Sequence, residues 1–593
     1  MRSARRFAAA VVVMAMLIAS SARAQVLSLL PGDAMVVVKI KNMQDVSSKV
    51  ATLAQQWGLA NIRPELNDPL GTLLTVANLG PGLARDGEAA VAVMMPPANG
   101  GEPNMVVLVP VSDFKTFSTS LPNAKAEGEL TTFTMGGNPQ PGYVADWGKF
   151  AAISPQKEMV GKKFTGVQVT GATSKELSSK DLVIYANMKQ ISKEVLPKFQ
   201  QFKPQMLQMI QQGMAAQGGN QKFAPVMGAY MGQLFNVAEG FLRDASGVTF
   251  GINLSKEGIS TTLLAEFDPT SYAGKAVAGL KNSNASFTAG LPDGKYFVYG
   301  GMVINPEIDL MLLNDFAAPI EQQLNAMGAE GKPLLDYLAS FRDFIGATKQ
   351  SNFGMVAPPA NVIGQQGLIQ TVNVTTGDTR KLAAAQKKMF ATQNEIMKMT
   401  TGGADMIKTT WAPGAKVVEG AELSQFNMTV DLQPKTPQEQ QAAVMLQMLY
   451  GPKGITGYTG TVTPDRLIAV AGGDDALLTS AVQAAKANTD ALGQGPAAKV
   501  SASLPQERLG AFYLPIDTIA STVLDVMAAR GMPAGVKLPP NLPPLAAAID
   551  SEGSAIRVDG YVPAQTVQSL IAAGMQMWLQ GMNGGGAGQP GGL

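Results

Sequence analysis

GVTFGINLSKEGISTTLLAEFDPTSYAGKAVAGL, residues 247–280, reads as a strand, a tight turn, a second strand and a helix. Val248, Phe250, Ile252 and Leu254 alternate with small or polar residues, the period of a half-buried strand. Lys256-Glu257-Gly258 then supplies a turn. Far along the chain, LAAAIDSEGSAIRVDGYVPAQTVQSLIAAGM, residues 545–575, repeats the order, with Ser551-Glu552-Gly553 in place of the first turn. Strands joined by a tight hairpin are antiparallel, whereas parallel neighbours need a long crossover. The class that follows is α+β, with hairpins and inserted helices in mixed or antiparallel sheets.

Four further blocks recur in the same order. A strand running into a helix begins at Asp33 (DAMVVVKIKNMQDVSSKVATL) and at Asp293 (DGKYFVYGGMVINPEIDLMLL). A hairpin carrying PPAN follows from Ala90 and from Phe353. DWGKFAAISPQKEMV from Asp146 matches PDRLIAVAGGDDALLTSAV from Pro464, and DLVIYANMKQISKEVL from Asp181 matches RLGAFYLPIDTIASTVL from Arg508. The five blocks predict an internal duplication, with related halves at residues 25–290 and 291–580. Helical insertions are expected at Ile191–Leu242, Ala317–Phe344 and around Lys381–Met399. Asn488–Lys499 reads as a loop, and the glycine-rich tail, residues 581–593, as disordered.

The N-terminus, MRSARRFAAAVVVMAMLIASSARAQ, has a basic head, an apolar stretch and Ala22-Arg23-Ala24 before Gln25. It is read as a secretory signal peptide, residues 1–24, and predicts a soluble protein of the periplasm or the extracellular space. The Arg5-Arg6 pair leaves twin-arginine export open beside the general secretory route. No long apolar run follows, so no transmembrane segment is expected after cleavage. The chain has 46 basic and 45 acidic residues, which gives no electrostatic case for a nucleic-acid partner.

Histidine and cysteine are absent. That removes thiolate nucleophiles, imidazole bases, disulfides and metal sites built on nitrogen or thiolate. No P-loop, dinucleotide-binding or EF-hand pattern is present, and neither a metal nor a cofactor is expected.

One motif tempts a catalytic reading. Ser112 and Lys115, in PVSDFK, have the S-x-x-K spacing of serine-lysine acyl enzymes, and Tyr185-Ala186-Asn187 resembles the Y-x-N element of penicillin-recognising enzymes. The K-T-G element is missing, Lys408-Thr409-Thr410 being only an approximation. Asp378 and Arg380 in the second half match Asp113 and Lys115 of the first, but the serine has no counterpart. Asp113, Asp378 and Asp517 are therefore read as helix caps at strand-to-helix junctions, and no catalytic residue is assigned. Ser154 to Lys157 makes a second S-x-x-K at another such junction.

Methionine is abundant, at 32 residues. Met206, Met209, Met214, Met227, Met231, Met445 and Met448 fall at helical spacing, which fits a plain core or an adaptable apolar groove. Thioethers also bind Cu(I), but the usual His or Cys co-ligands are missing.

LPGDAMVVVKI (Leu30–Ile40), PVSDF and GKFAAISP resemble a set of exported bacterial proteins grouped as a domain of unknown function. The resemblance implies an envelope location and no defined activity. The function expected is a non-enzymatic binding or scaffolding protein of the bacterial envelope, with an envelope protein or an apolar ligand as partner. The alternatives are a carrier of lipid or another apolar ligand, and an acyl hydrolase using Ser112 and Lys115.

Overall fold

The computed structural model describes residues 26–76, 79–97, 103–134, 141–216 except 162, 165 and 168, 223–359, 367–400, 407–430, 437–451, 454–529 and 535–584. The expected signal peptide and the tips of both PPAN hairpins lie outside these residues. The chain forms two compact units interleaved in sequence. The first takes the chain through Pro197, Leu242–Gly274 and Ser554–Arg557; the second takes Lys198–Phe241, Lys275–Gly553 and the chain from Val558 on.

The first part of the chain runs β1 (Val36–Ile40), α1 (Met43–Gln56), β2 (Ala89–Val93), β3 (Met105–Pro110), α2 (Phe114–Ser120), β4 (Lys125–Glu127), β5 (Leu130–Thr134), β6 (Pro141–Asp146), β7 (Phe150–Ser154), α3 (Gly171–Ser179) and β8 (Leu182–Ala186). A helical pair, α4 (Met188–Ala216) and α5 (Ala224–Asp244), leads to the hairpin β9 (Ala245–Ser255) and β10 (Gly258–Phe267), then to α6 (Tyr272–Gly279). The strands pair antiparallel in the order β4-β5-β6-β7-β3-β2-β1-β8-β9-β10. Alternate residues of the central strands, among them Val37, Ala92, Leu108 and Val183, bury one face in a core shared with Leu177 of α3.

The later part runs β11 (Tyr296–Val303), α7 (Pro306–Ala326), α8 (Lys332–Ala347), β12 (Thr348–Val356), β13 (Gln370–Gly377), α9 (Thr379–Thr400), β14 (Ile407–Val418), β15 (Ala421–Val430), α10 (Pro437–Tyr450), β16 (Ile455–Thr463), β17 (Arg466–Ala471), α11 (Asp475–Ala487), β18 (Gly510–Leu514), α12 (Ile516–Ala529), β19 (Leu545–Glu552), β20 (Ala555–Pro563) and α13 (Ala564–Gly584). Its strand order is β14-β15-β16-β17-β13-β12-β11-β18-β19-β20, again antiparallel. The two strand orders are alike, each strand position in one having a counterpart in the other.

The molecule is α+β, with antiparallel strand pairing and inserted helices. The halves expected at 25–290 and 291–580 differ from the units. Residues 198–241, from the α4–α5 pair, group with the second unit. Pro319 lies inside α7 and has no N–H for the Asp315 carbonyl one turn back. Gln233 of α5, almost fully buried, donates its amide there instead, at 2.9 Å, and to Phe316 O at 3.2 Å. Tyr230 packs edge-on against Phe316. The loop expected at 488–499 holds two short helices, Ala491–Gln494 and Pro496–Ser501, started by the Asp490 carboxylate and by Pro496. Of the tail expected at 581–593, residues 581–584 are the end of α13, and the rest lies outside the described residues.

Candidate functional site

The first unit contains a cavity of about 680 Å³ built from five separate stretches. Gly32 and Asp33 come from the approach to β1, Thr170 and Thr173 from the start of α3, and Tyr185, Asn187 and Lys189 from the end of β8 and the start of α4. Ser246 and Gly247 come from β9; Glu266, Phe267 and Asp268 come from the end of β10. Phe164 and Val169 add apolar wall.

Two glycines make room for the functional groups. A side chain at Gly247 would stand 2.7 Å from the Tyr185 ring. At Gly171, where φ is +66°, a Cβ would meet the Glu266 carboxylate at 2.2 Å. Only glycine takes that left-handed conformation without cost. The opening of α3 has no cap from its own Thr170 side chain. Glu266 serves instead, its Oε2 accepting from Thr173 Oγ1 at 2.6 Å and from Thr173 N at 3.2 Å.

The floor is polar. Tyr185 is 5 % exposed and Asn187 9 %. Among the described residues, no protein group hydrogen-bonds the Tyr185 hydroxyl or the Asn187 side-chain amide, although backbone groups of Asn187 bond Met35, Gln190 and Ile191. Burial, and next the Glu266 charge, push the Tyr185 phenol up to about 12, so it is a neutral hydrogen-bonding group at ordinary pH. At the rim, the Thr270 hydroxyl and then its N–H hold the Asp268 carboxyl below the usual range, helped by Lys189.

The second unit has a cavity of about 430 Å³ at the corresponding place in its strand order, lined by Asp293, Tyr299, Leu492, Asp517, Asp525 and Lys537 among others. Tyr299 stacks on Tyr513 with ring centroids 5.2 Å apart. Burial pushes the Tyr299 phenol well up, as it does that of Tyr296, whose hydroxyl donates to Pro292 O at 2.7 Å.

The residues singled out in the sequence sit elsewhere, with two exceptions. Ser112 is exposed and its hydroxyl donates to Gly82 O at 3.2 Å; Lys115 is exposed one turn into α2. Asp113 accepts from Thr116 N at 2.9 Å as the N-cap of α2, and Asp378 accepts from Lys381 N at 3.3 Å before α9. Asp517 lies inside the first turn of α12 rather than before it, and accepts from Leu542 N at 3.3 Å. Ser154 is fully buried and donates to Met105 O at 2.6 Å. Met209 and Met227 are exposed, Met206, Met231 and Met448 half-buried, and none of them lines either cavity. The side chains of Met214 and Met445 lie outside the described residues.

The exceptions are Tyr185 and Asn187 of the Y-x-N element, which the fold turns into the floor of the larger cavity. Glu266 and Asp268 went unnoticed in LLAEFDP. The acidic pair bracketing Phe267 at the end of a strand was the signal there.

Among the described residues, no helix is long and apolar enough to cross a membrane. No protein-family model matches the chain, and no curated protein does. Among solved structures, crystal forms I and IV of TP0453, a Treponema pallidum protein, are similar at 10 % identity over 49 % of this chain. They are covered over 98 % and 97 % of their own lengths, with TM-scores of 0.20 and 0.19. Scores that low carry no argument about fold or function.

Proposed function

We propose that this chain is an exported, non-enzymatic binding protein of the bacterial envelope, and that its first unit holds a small polar ligand in the cavity floored by Tyr185 and Asn187. One observation carries the reading. Tyr185 and Asn187, each about nine-tenths buried, line the same cavity, and among the described residues neither side chain hydrogen-bonds a protein group. A ligand there would find donors and acceptors that the protein leaves unused. The volume suits a small molecule, and the lining does not suit the lipid carrier read from the methionines. The shared strand order supports descent of both units from one duplicated unit, of which one kept the larger cavity.

Native mass spectrometry of mature protein, purified gently from the exporting host, tests the reading. The expected result is one small, water-soluble molecule per chain, absent from Asn187→Leu. An organic-extractable mass that survives Asn187→Leu would restore the apolar carrier. A fluorophosphonate probe should leave the chain unlabelled; labelling lost on Ser112→Ala would restore the acyl hydrolase.

A second reading, scaffolding, has its own observation. Met227, Tyr230, Leu234, Val237 and Phe241 recur along α5 at spacings of three and four, and all are exposed. An apolar stripe facing water marks a protein-contact surface. Val237→Glu should then remove a partner co-purifying with the wild type, and unchanged recovery of that partner would sink the reading.

A further inference from the structure

The charges around the larger cavity narrow its ligand class. Among the described residues that line it, Asp33, Glu266 and Asp268 stand with one ammonium, that of Lys189. Three carboxylates facing one cation leave a negative field, which a concave, partly dry site concentrates. Hydrogen bonds from Thr270 to Asp268, and from Thr173 to Glu266, fix two of the three carboxylates in place. Phe164 and Phe267 give the wall two aromatic rings, which attract a cation in contact with their faces.

We infer that the ligand is a small organic cation carrying at least one ammonium group. The inference rests on the binding reading above. The floor groups are suited to such a molecule. The Tyr185 hydroxyl and the Asn187 carbonyl accept from an N–H donor, and the Asn187 amide and Tyr185 O–H remain able to serve a hydroxyl or carbonyl on the same ligand. A bare metal ion fits less well. Among the described residues, no three carboxylates converge closely enough to hold one. The acids come instead from two stretches, before β1 and around the end of β10, which suits an extended molecule.

The test is calorimetric titration of the full mature chain with three probes of matched length: hexamethylenediamine, hexamethylene glycol and adipate. The diamine should bind, with the glycol at least about tenfold weaker and adipate not bound. Glu266→Gln keeps an acceptor for Thr173 and should weaken the diamine about tenfold. Should that variant fold poorly, Asp33→Asn, at an exposed position, should weaken the diamine several-fold and flatten its salt dependence. Asn187→Leu should abolish binding of every probe. Glycol binding as tight as diamine binding overturns the cation assignment and leaves the binding site standing. Diamine binding that Asn187→Leu leaves intact, or no binding of any probe to a chain carrying a neutral molecule from its host, overturns it too. The first and the last of these failures leave the proposed site standing; the second does not.

Discussion

Val37 and Tyr299 occupy corresponding places in the two strand orders. Val37 is paired with Tyr185 across β8 and with Ala92 across β2. Tyr299 is paired with Tyr513 across β18 and with Gly354 across β12. Where the first unit places a small aliphatic side chain beside its buried tyrosine, the second places another tyrosine, and the rings stack. The adjacent cavity is the smaller of the two. Two residues further on, the contrast is sharper. Lys39 is 2 % exposed, ion-paired to Glu88 at 2.9 Å, and donates to the Leu177 carbonyl at 3.0 Å. Its counterpart, Gly301, leaves room for the buried Asn352, whose amide donates to Ala289 O at 2.8 Å. The comparison teaches that one strand order tolerates very different ways of satisfying its middle, and that a cavity is what remains where a large side chain was not put.

Alkali should expose the contrast most strongly. Burial raises the phenols of Tyr296 and Tyr299 in the second unit well above their ordinary value, and pushes that of Tyr185 in the first up to about 12. Each folded-state value stands above the unfolded one near 10, so the stability each contributes is intact below that pH and is lost as pH rises through the folded value. Urea midpoints followed by probes in each unit should fall above pH 10, and fall faster in the second. Equal slopes would remove the distinction.

Glu88→Ala should cost about 3 kcal/mol, because it strands the Lys39 ammonium inside the first unit. Lys39→Met should be near neutral, so chemical denaturation of both variants separates the loss of a partner from the loss of a pair. At the counterpart, Gly301→Ala sets a methyl 2.2 Å from Asn352 Oδ1 and should cost about 2 kcal/mol by overpacking. A thermal midpoint unchanged from wild type would refute the tight approach. Asp113→Ala should lower stability as a lost cap, and Asp474→Ala, whose carboxylate accepts from Leu477 N at 2.9 Å, should cost about 1 kcal/mol.

Local features were legible in the sequence. The hairpin around Lys256 and Glu257, the cap at Asp113 and the inserted helices are each decided by residues a few positions apart. The turn letters were a partial guide, since KEG puts its turn at Lys256–Glu257 and SEG puts its own two places later, at Gly553–Ser554. What pairs distant residues was not legible. The amide of Gln233 answers a proline-broken helix more than eighty positions away, and that contact helps to draw α5 into the second unit. The cavity fails in the same way, being assembled from five stretches, each of them ordinary. Tyr185 and Asn187 were noticed for a catalytic spacing and matter here for their unsatisfied ends, a property only packing reveals.

The smallest expected effect on stability is also the most telling for function. Tyr185→Phe and Asn187→Leu remove no hydrogen bond made by their side chains within the protein, so folding should be unchanged or slightly improved. The most direct measurement is therefore native mass spectrometry of wild type and Asn187→Leu, purified side by side from the exporting host, with a thermal melt of each. The account predicts equal or higher stability for the variant and loss of a small polar molecule carried by the wild type. A variant that keeps the molecule, or a wild type that carries none, would contradict it.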